Sequence, residues 1–495
     1  MLNSLRHLAA LGCALLIVAN AVAVQNREGA LSFAPYKIEA NGKAIEAEIG
    51  RLTVKENRSK PGSKLIELAF VRLKSTARKP GPPVVYLDGG PGSSPINLAR
   101  VPDYLNIFLK LREVGDVILL DQRGVGLSRP NLTRISPASL PLDAFESKEK
   151  ALSVLVERTR MAAEHFRSQG IEIAAYNSVE SAKDIEDLRR ALGAEKLNLV
   201  GFSYGTHLAL SAIRRHASRL NRAVLVGTEG QNHTFKLPST SQRSLERLSR
   251  LVAGDPALGP KMPDLLGTLK RILDRLEKEP ITVSITDRRT RQPVDIKLGK
   301  FAFQVILMMD LGDTNDLPVF PALIYTIDKG DYSILAQFVE KRFNQFGGGV
   351  SIMSFMMDAS SGATRDRYEQ ILRESKDALL DNAMNFPFPE VGHALSNPDL
   401  GDAYRSPIET DVPTLFISGE LDNNTPPFQA DEVRKSFKQS THLVVENAGH
   451  ESMLVEPAVQ QAIVDFLIGK DVSGVKLAAP PLRFRPLPDI AGRQN

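Results

Sequence analysis

The chain has 495 residues, 42% of them hydrophobic and 24% charged, which is enough for a large core and a substantial second unit. With 62 Lys and Arg against 58 Asp and Glu, the formal charge is only +4. The basic residues alternate with acidic ones instead of forming a stripe, which argues against a nucleic-acid partner.

A basic start, MLNSLRH, runs into the apolar stretch LAALGCALLIVANAV and then into Ala21-Val22-Ala23. That is the layout of a secretory leader over residues 1–23, cut after Ala23; a retained membrane anchor is the alternative. Cys13, the single cysteine, lies inside it, so the processed chain is expected to hold no thiol, disulfide or cysteine-ligated metal. The expected location is periplasmic or secreted, without stable membrane insertion after cleavage.

After a polar linker, IEAEIGRLTVKE and KLIELAFVRLKS read as an antiparallel ribbon joined by the turn-rich NRSKPGS. PPVVYLDGG and GDVILLDQRGVG read as buried strands that end in Gly- and Asp-rich loops. The spacing in SVESAKDIEDLRRALG predicts a surface helix, and KLNLV predicts a strand running straight into the helix THLALSAIRRH. RAVLVG is the next strand.

Regular alternation then stops. Residues 231–406 carry helical patterns such as MPDLLGTLKRILDRLEKE, with one possible ribbon around ITVSITDRRTRQPVDIKLG. Alternation resumes with PTLFISG, a helix over PPFQADEVRKSF, the strand THLVVEN and a last helix over PAVQQAIVDFLIG. The expected architecture is α/β: a mostly parallel sheet built from residues 24–230 and 407–470, interrupted by a mainly helical insertion at 231–406. Residues 471–495 read as a Pro-rich tail, expected to be extended.

Gly201-Phe-Ser203-Tyr-Gly205 fits G-x-S-x-G between a strand and a helix, where a serine sits on a tight turn with the helix N-terminus behind it. A serine hydroxyl needs a base, and His450 follows the last core strand, where α/β sheets gather active residues. His207 and His216 read as packing or surface residues, whereas His233 has a possible approach to the pocket. The acid is Asp422, on the loop after PTLFISG, with Glu420 as the alternative. The order Ser203, Asp422, His450 is that of α/β-hydrolases. The loop Asp88-Gly-Gly-Pro-Gly92 offers an amide at Gly89 or Gly90 which, with that of Tyr204, would form an oxyanion hole. Without G-K-[ST] or G-x-G-x-x-G spacing it is no nucleotide loop, and no cofactor or metal is expected.

These islands resemble the proline iminopeptidase and tripeptidyl-aminopeptidase-like branch of the α/β-hydrolases. Asp88-Gly-Gly-Pro-Gly92 resembles its His-Gly-Gly-Pro-Gly loop, Asp121-Gln-Arg-Gly-Val-Gly-Leu-Ser128 its Asp-Gln-Arg-Gly segment, and the stretches around Ser203, Asp422 and His450 its reactive loops. Asp88 departs from the family's histidine. The resemblance implies that the insertion is a cap over the active site, and that a residue or short peptide is cleaved from a free N-terminus through an acyl-enzyme. It also implies that acidic residues hold the substrate's amino group; Glu229 and Glu246 are the candidates. Asp121 and Arg123 are expected to brace the loops. The same triad serves a carboxylesterase or other acyl hydrolase, so the substrate is a short peptide or a small ester. A catalytically silent fold is the third reading. The sequence leaves the oligomeric state open.

Overall fold

The computed structural model describes residues 27–489 apart from 41, 134 and 136–138. The leader expected at 1–23, with Cys13, lies outside the described residues. Among those described, no helix is long and apolar enough to cross a membrane.

The chain opens with three strands, β1 (Leu31–Ala40), β2 (Lys43–Lys55) and β3 (Leu65–Leu73), paired antiparallel. The residues read as a linker before the ribbon therefore contain a strand, β1, which covers the outer edge of β2. The sheet continues through β4 (Val84–Leu87), β5 (Val117–Asp121), β6 (Leu197–Phe202) and β7 (Leu220–Val226). Two short strands, β8 (Ile281–Thr286) and β9 (Pro293–Leu298), form the separate ribbon, and β10 (Thr414–Gly419), β11 (Ser440–Glu446) and β12 (Leu477–Ala478) complete the main sheet. Its order is β1-β2-β3-β5-β4-β6-β7-β10-β11-β12, parallel from β5 onward.

Every residue of β4, β5, β6 and β10 is buried. Side chains alternate across a strand, so Val85, Leu87, Leu199 and Leu225 enter one apolar cluster while Val84, Tyr86, Val200 and Val226 enter another on the opposite face. A strand buried on both faces has no polar side, which is why these segments read as continuous apolar runs.

Helix Ser178–Ala191 forms where expected but is not a surface helix. Glu180, Asp184, Ile185 and Leu188 are buried. Arg58 and Arg123 hold its carboxylates, with Arg58 Nη2 2.5 Å and Arg123 Nε 2.7 Å from Asp184, so its charges are paired and not solvated. Arg123 also donates to the carbonyls of Glu56 and Ala175, and Asp121 accepts from Ser94 Oγ (2.6 Å) and the Leu127 amide (2.7 Å). Both residues tie loops together.

Between β7 and β10 lie mainly helices, among them Pro238–Gly254, Lys300–Asp310 and Ile352–Ser361. Their apolar cluster includes Leu245, Ile306 and Phe320, but also Leu140, Phe145 and Ala151 from before the nucleophile strand. Conversely, Ile352, Met356 and Val391 join the main core. The 231–406 segment therefore builds most of one apolar cluster and also shares packing with the sheet region in both directions. The tail leaves β12 and crosses to this region, where Leu482, Phe484 and Leu487 pack on the helical cluster and the Arg485 amide donates to Pro318 O at 3.0 Å.

Candidate active site

The carboxyl ends of β4, β6, β10 and β11 deliver four loops to one place. Ser203, between β6 and helix Tyr204–His216, has φ 54° and ψ −125°, a backbone conformation that a non-glycine residue holds only when its surroundings enforce it. Gly205 is one such constraint: a Cβ there would lie 1.9 Å from Leu87 O. Gly89 is another, since its Cβ would lie 2.9 Å from that of Ser203.

Ser203 Oγ donates to His450 Nε2 at 2.9 Å, and His450 Nδ1 donates to Asp422 Oδ2 at 2.8 Å. Asp422 also accepts from Thr425 Oγ1 (2.6 Å) and from the amides of Asn424 (2.7 Å) and Thr425 (2.9 Å). Burial alone would raise the Asp422 carboxyl, but the His450 ring and these donors outweigh it and hold its pKa below the usual carboxylate value. For His450, burial pushes downward, and the charge and hydrogen bond of Asp422 reverse this and raise it above the ordinary imidazole value.

Glu420, the other acid considered, is turned away from His450. It is paired with the Arg247 guanidinium and accepts from the Asn447 amide at 3.1 Å, so it braces the acid loop. Gly90 lines the cavity beside Ser203, and Tyr204 opens the helix whose first amides point toward the serine. Asp88, where the family's loop has histidine, is buried beneath that loop. Burial raises its pKa, against the opposing contacts of Ser93, the Gly89 amide and Tyr86. Gly89 lies against Ser203, where a Cβ on it would come within 3.4 Å of the serine Oγ, so both Gly89 and Gly90 remain candidate oxyanion donors.

A cavity of about 530 Å³ lies over Ser203, with one apolar wall that includes Val305, Met309, Phe346, Phe355 and Phe388. Its polar groups include Glu229, Lys236, Gln345, Ser351, Ser354, Asp358, Asn424 and Thr425. Glu229 is in the cavity as expected, but Lys236 Nζ lies 2.5 Å from its Oε2 and His207 Nδ1 lies 3.7 Å from its Oε1. Glu246 is not there. It sits on helix Pro238–Gly254 outside the cavity lining and accepts from Gln242 Nε2 at 3.1 Å, because the face of that helix bearing Glu246 points away from the nucleophile. His233 is likewise outside, 3.3 Å from Glu432.

Asp358 is the group that sequence reasoning missed. It projects from helix Ile352–Ser361 into the cavity, and its carboxylate makes no hydrogen bond or ion pair among the described residues. Burial pushes its pKa well above the usual carboxylate range; the neighbouring Glu229 charge adds to this and Lys236 opposes it. A signal was present, since Asp358 is the one charged residue between Val350 and Arg365. The same helix is keyed to the core elsewhere: Ser354 Oγ donates to Pro91 O in the glycine loop, and Ser361 Oγ lies 3.0 Å from His207 Nε2.

A parallel sheet that delivers a strained serine, a histidine and a carboxylate in this chain order defines an α/β-hydrolase. Comparison with known families agrees. The profile described as alpha/beta hydrolase fold matches residues 82–266, and the one described as TAP-like protein matches residues 396–473. YuaR of Escherichia coli (strain K12), which carries a hydrolase designation, is 23% identical over 437 residues, covering 82% of this chain and 81% of YuaR. The tripeptidyl aminopeptidase of Streptomyces lividans is 30% identical over 172 residues, 32% of this chain and 31% of that protein. The serine protease Hip1 of Mycobacterium tuberculosis is 29% identical over 189 residues, 37% of this chain and 36% of Hip1. The chain belongs to the TAP-like branch of the α/β-hydrolases, and it is a serine hydrolase of that family.

Proposed function

We propose that this hydrolase is an exported peptidase that removes a residue or short peptide from a free N-terminus, with Ser203, His450 and Asp422 as its catalytic triad. The observation that carries the substrate class is Asp358, a carboxylate without a partner facing the cavity over Ser203. Glu229 is neutralised by Lys236, so the pocket retains one net acidic group, which suits one ammonium. An arriving amine would pair with Asp358 and favour its charged form.

In the proposed reaction His450 Nε2 accepts the Ser203 proton as Oγ attacks the carbonyl carbon. The amide of Gly89 or Gly90, with that of Tyr204, stabilises the oxyanion. His450 then protonates the leaving amine, the C–N bond breaks and the acyl-enzyme remains. Water, deprotonated by His450, hydrolyses that ester and releases the N-terminal product. Asp422 holds the ring in the required tautomer and stays ionised throughout.

The second reading, an acyl-ester hydrolase, draws on the apolar wall of Val305, Met309 and the phenylalanines. A panel of amino-acid and tripeptide amides, their N-blocked forms and simple acyl esters decides between the two, with Ser203→Ala as control. Cleavage of free-amine amides that disappears on blocking supports the peptidase. Ester cleavage indifferent to the amine replaces it with the esterase. The proposed export rests on the pattern of residues 1–23 and is checked by N-terminal sequencing of the exported chain, expected to start at Val24.

A further inference from the structure

The acid loop has two faces. Asn424 and Thr425 border the cavity over Ser203, whereas Pro427 and Phe428 border a second cavity, of about 380 Å³, on its other side. Helix Pro238–Gly254 forms the facing wall and turns Arg243, Arg247 and Arg250 toward it, at the i, i+4, i+7 spacing of one helical face. Arg247 is occupied by Glu420. Arg243 and Arg250 form no ion pair among the described residues; Arg243 lies 5.1 Å from the centre of the Phe428 ring. Between the cations lie Leu248, Leu311 and Leu317, with Leu251, 41% exposed, at the rim. Thr240, Ser244, Glu420 and Asp422 also line the cavity, the two carboxylates being already engaged by Arg247 and His450.

This combination selects a ligand. A small inorganic anion would pair with the guanidinium groups but leave the leucines wet, and a neutral apolar molecule would cover the leucines but make no use of Arg243 and Arg250, which are exposed to solvent. A carboxylate on an apolar body satisfies both, with the planar guanidinium matched to the planar anion. We propose that this second cavity is a binding site for such a carboxylate, carried by the C-terminal residue of a peptide or by a fatty acid. Because the same loop holds Asp422, occupancy bears directly on the element that orients His450.

Calorimetric titration of the full chain with N-acetylphenylalanine, its amide and decanoate tests the proposal without requiring turnover. One or both carboxylates are expected to bind saturably, with the amide at least tenfold weaker. Arg243→Ala/Arg250→Ala should weaken carboxylate binding at least tenfold at unchanged Tm. Leu251→Glu, a single rim change, provides a second variant with the same expected loss. Preference for N-acetylphenylalanine identifies a peptide C-terminus as the source, and preference for decanoate a fatty acid. Absence of saturable binding, equal binding of the amide, or full affinity in both variants overturns the proposal.

Discussion

At the scale of single residues, two carboxylates at the candidate site carry opposite perturbations for opposite reasons. Asp422 is surrounded by donors and its pKa is lowered, so it remains an anion that holds His450. Asp358 is desolvated without a partner, and its pKa is raised. Consequences follow for pH. His450 must be neutral to accept the serine proton, so kcat/KM should fall as pH drops through its raised pKa. The acid limb should thus lie above the value of an ordinary histidine, about 6.5. Asp422→Asn should cut kcat by about 10⁴-fold and move the residual limb to lower pH, because burial then acts on His450 unopposed. For Asp358 the folded state holds its proton more tightly than the unfolded chain, so its contribution to stability declines as pH rises past the ordinary carboxylate value. Asp358→Asn should therefore raise Tm at neutral pH, and the gain should shrink in acid; calorimetry across pH measures both. Ser203, His450 and the acid loop were legible because each ends a strand in a short, distinctive motif. Asp358 was only partly so: it stands out as the one charged residue of its segment, but nothing in a helical segment tells which face will roof a cavity over a serine so distant in sequence.

At the scale of elements, the strand-to-helix turn at Ser203 is enforced by backbone contact. Gly205→Ala would drive a Cβ into Leu87 O on the neighbouring strand, and backbone cannot yield as a side chain does. A loss of at least about 3 kcal/mol is expected in denaturant unfolding, together with loss of activity. Buried strands and their order of appearance were readable from short apolar runs. Helix Ser178–Ala191 misled because its acidic and basic residues suggest a solvated face. Two arginines distant in sequence, Arg58 and Arg123, convert that face into a buried ion-pair network. Glu246 failed for a related reason: its helix was anticipated, but the rotation of that helix toward the acid loop placed arginines, not Glu246, at a cavity.

Across the whole molecule, the helical region and the sheet are bound at more places than a simple insertion needs. Leu140, Phe145 and Ala151 enter the helical cluster from the first half of the sheet domain, helix Ile352–Ser361 enters the main core, and the tail crosses from β12 to pack Leu482, Phe484 and Leu487 on the helices. Sequence reading fixed the insertion by where strand alternation stopped, and packing does not respect that limit. The tail's apolar residues stand among prolines and showed no periodicity, so their anchoring role was invisible. Ending the chain after Ala479 should leave the sheet intact but speed hydrogen exchange and proteolysis across Leu317–Asp328; unchanged rates there would show that the tail does not restrain the cap. The central claim, that Ser203 acts on substrates anchored by their free amine at Asp358, is tested most directly by a substrate–enzyme double-mutant cycle. It compares kcat/KM for a tripeptide amide and its des-amino analogue in the wild type and in Asp358→Asn. Strong coupling is expected: the wild type should favour the free amine by about 10- to 100-fold and Asp358→Asn should nearly abolish that preference. An equal preference in both enzymes, or none in the wild type, would contradict it.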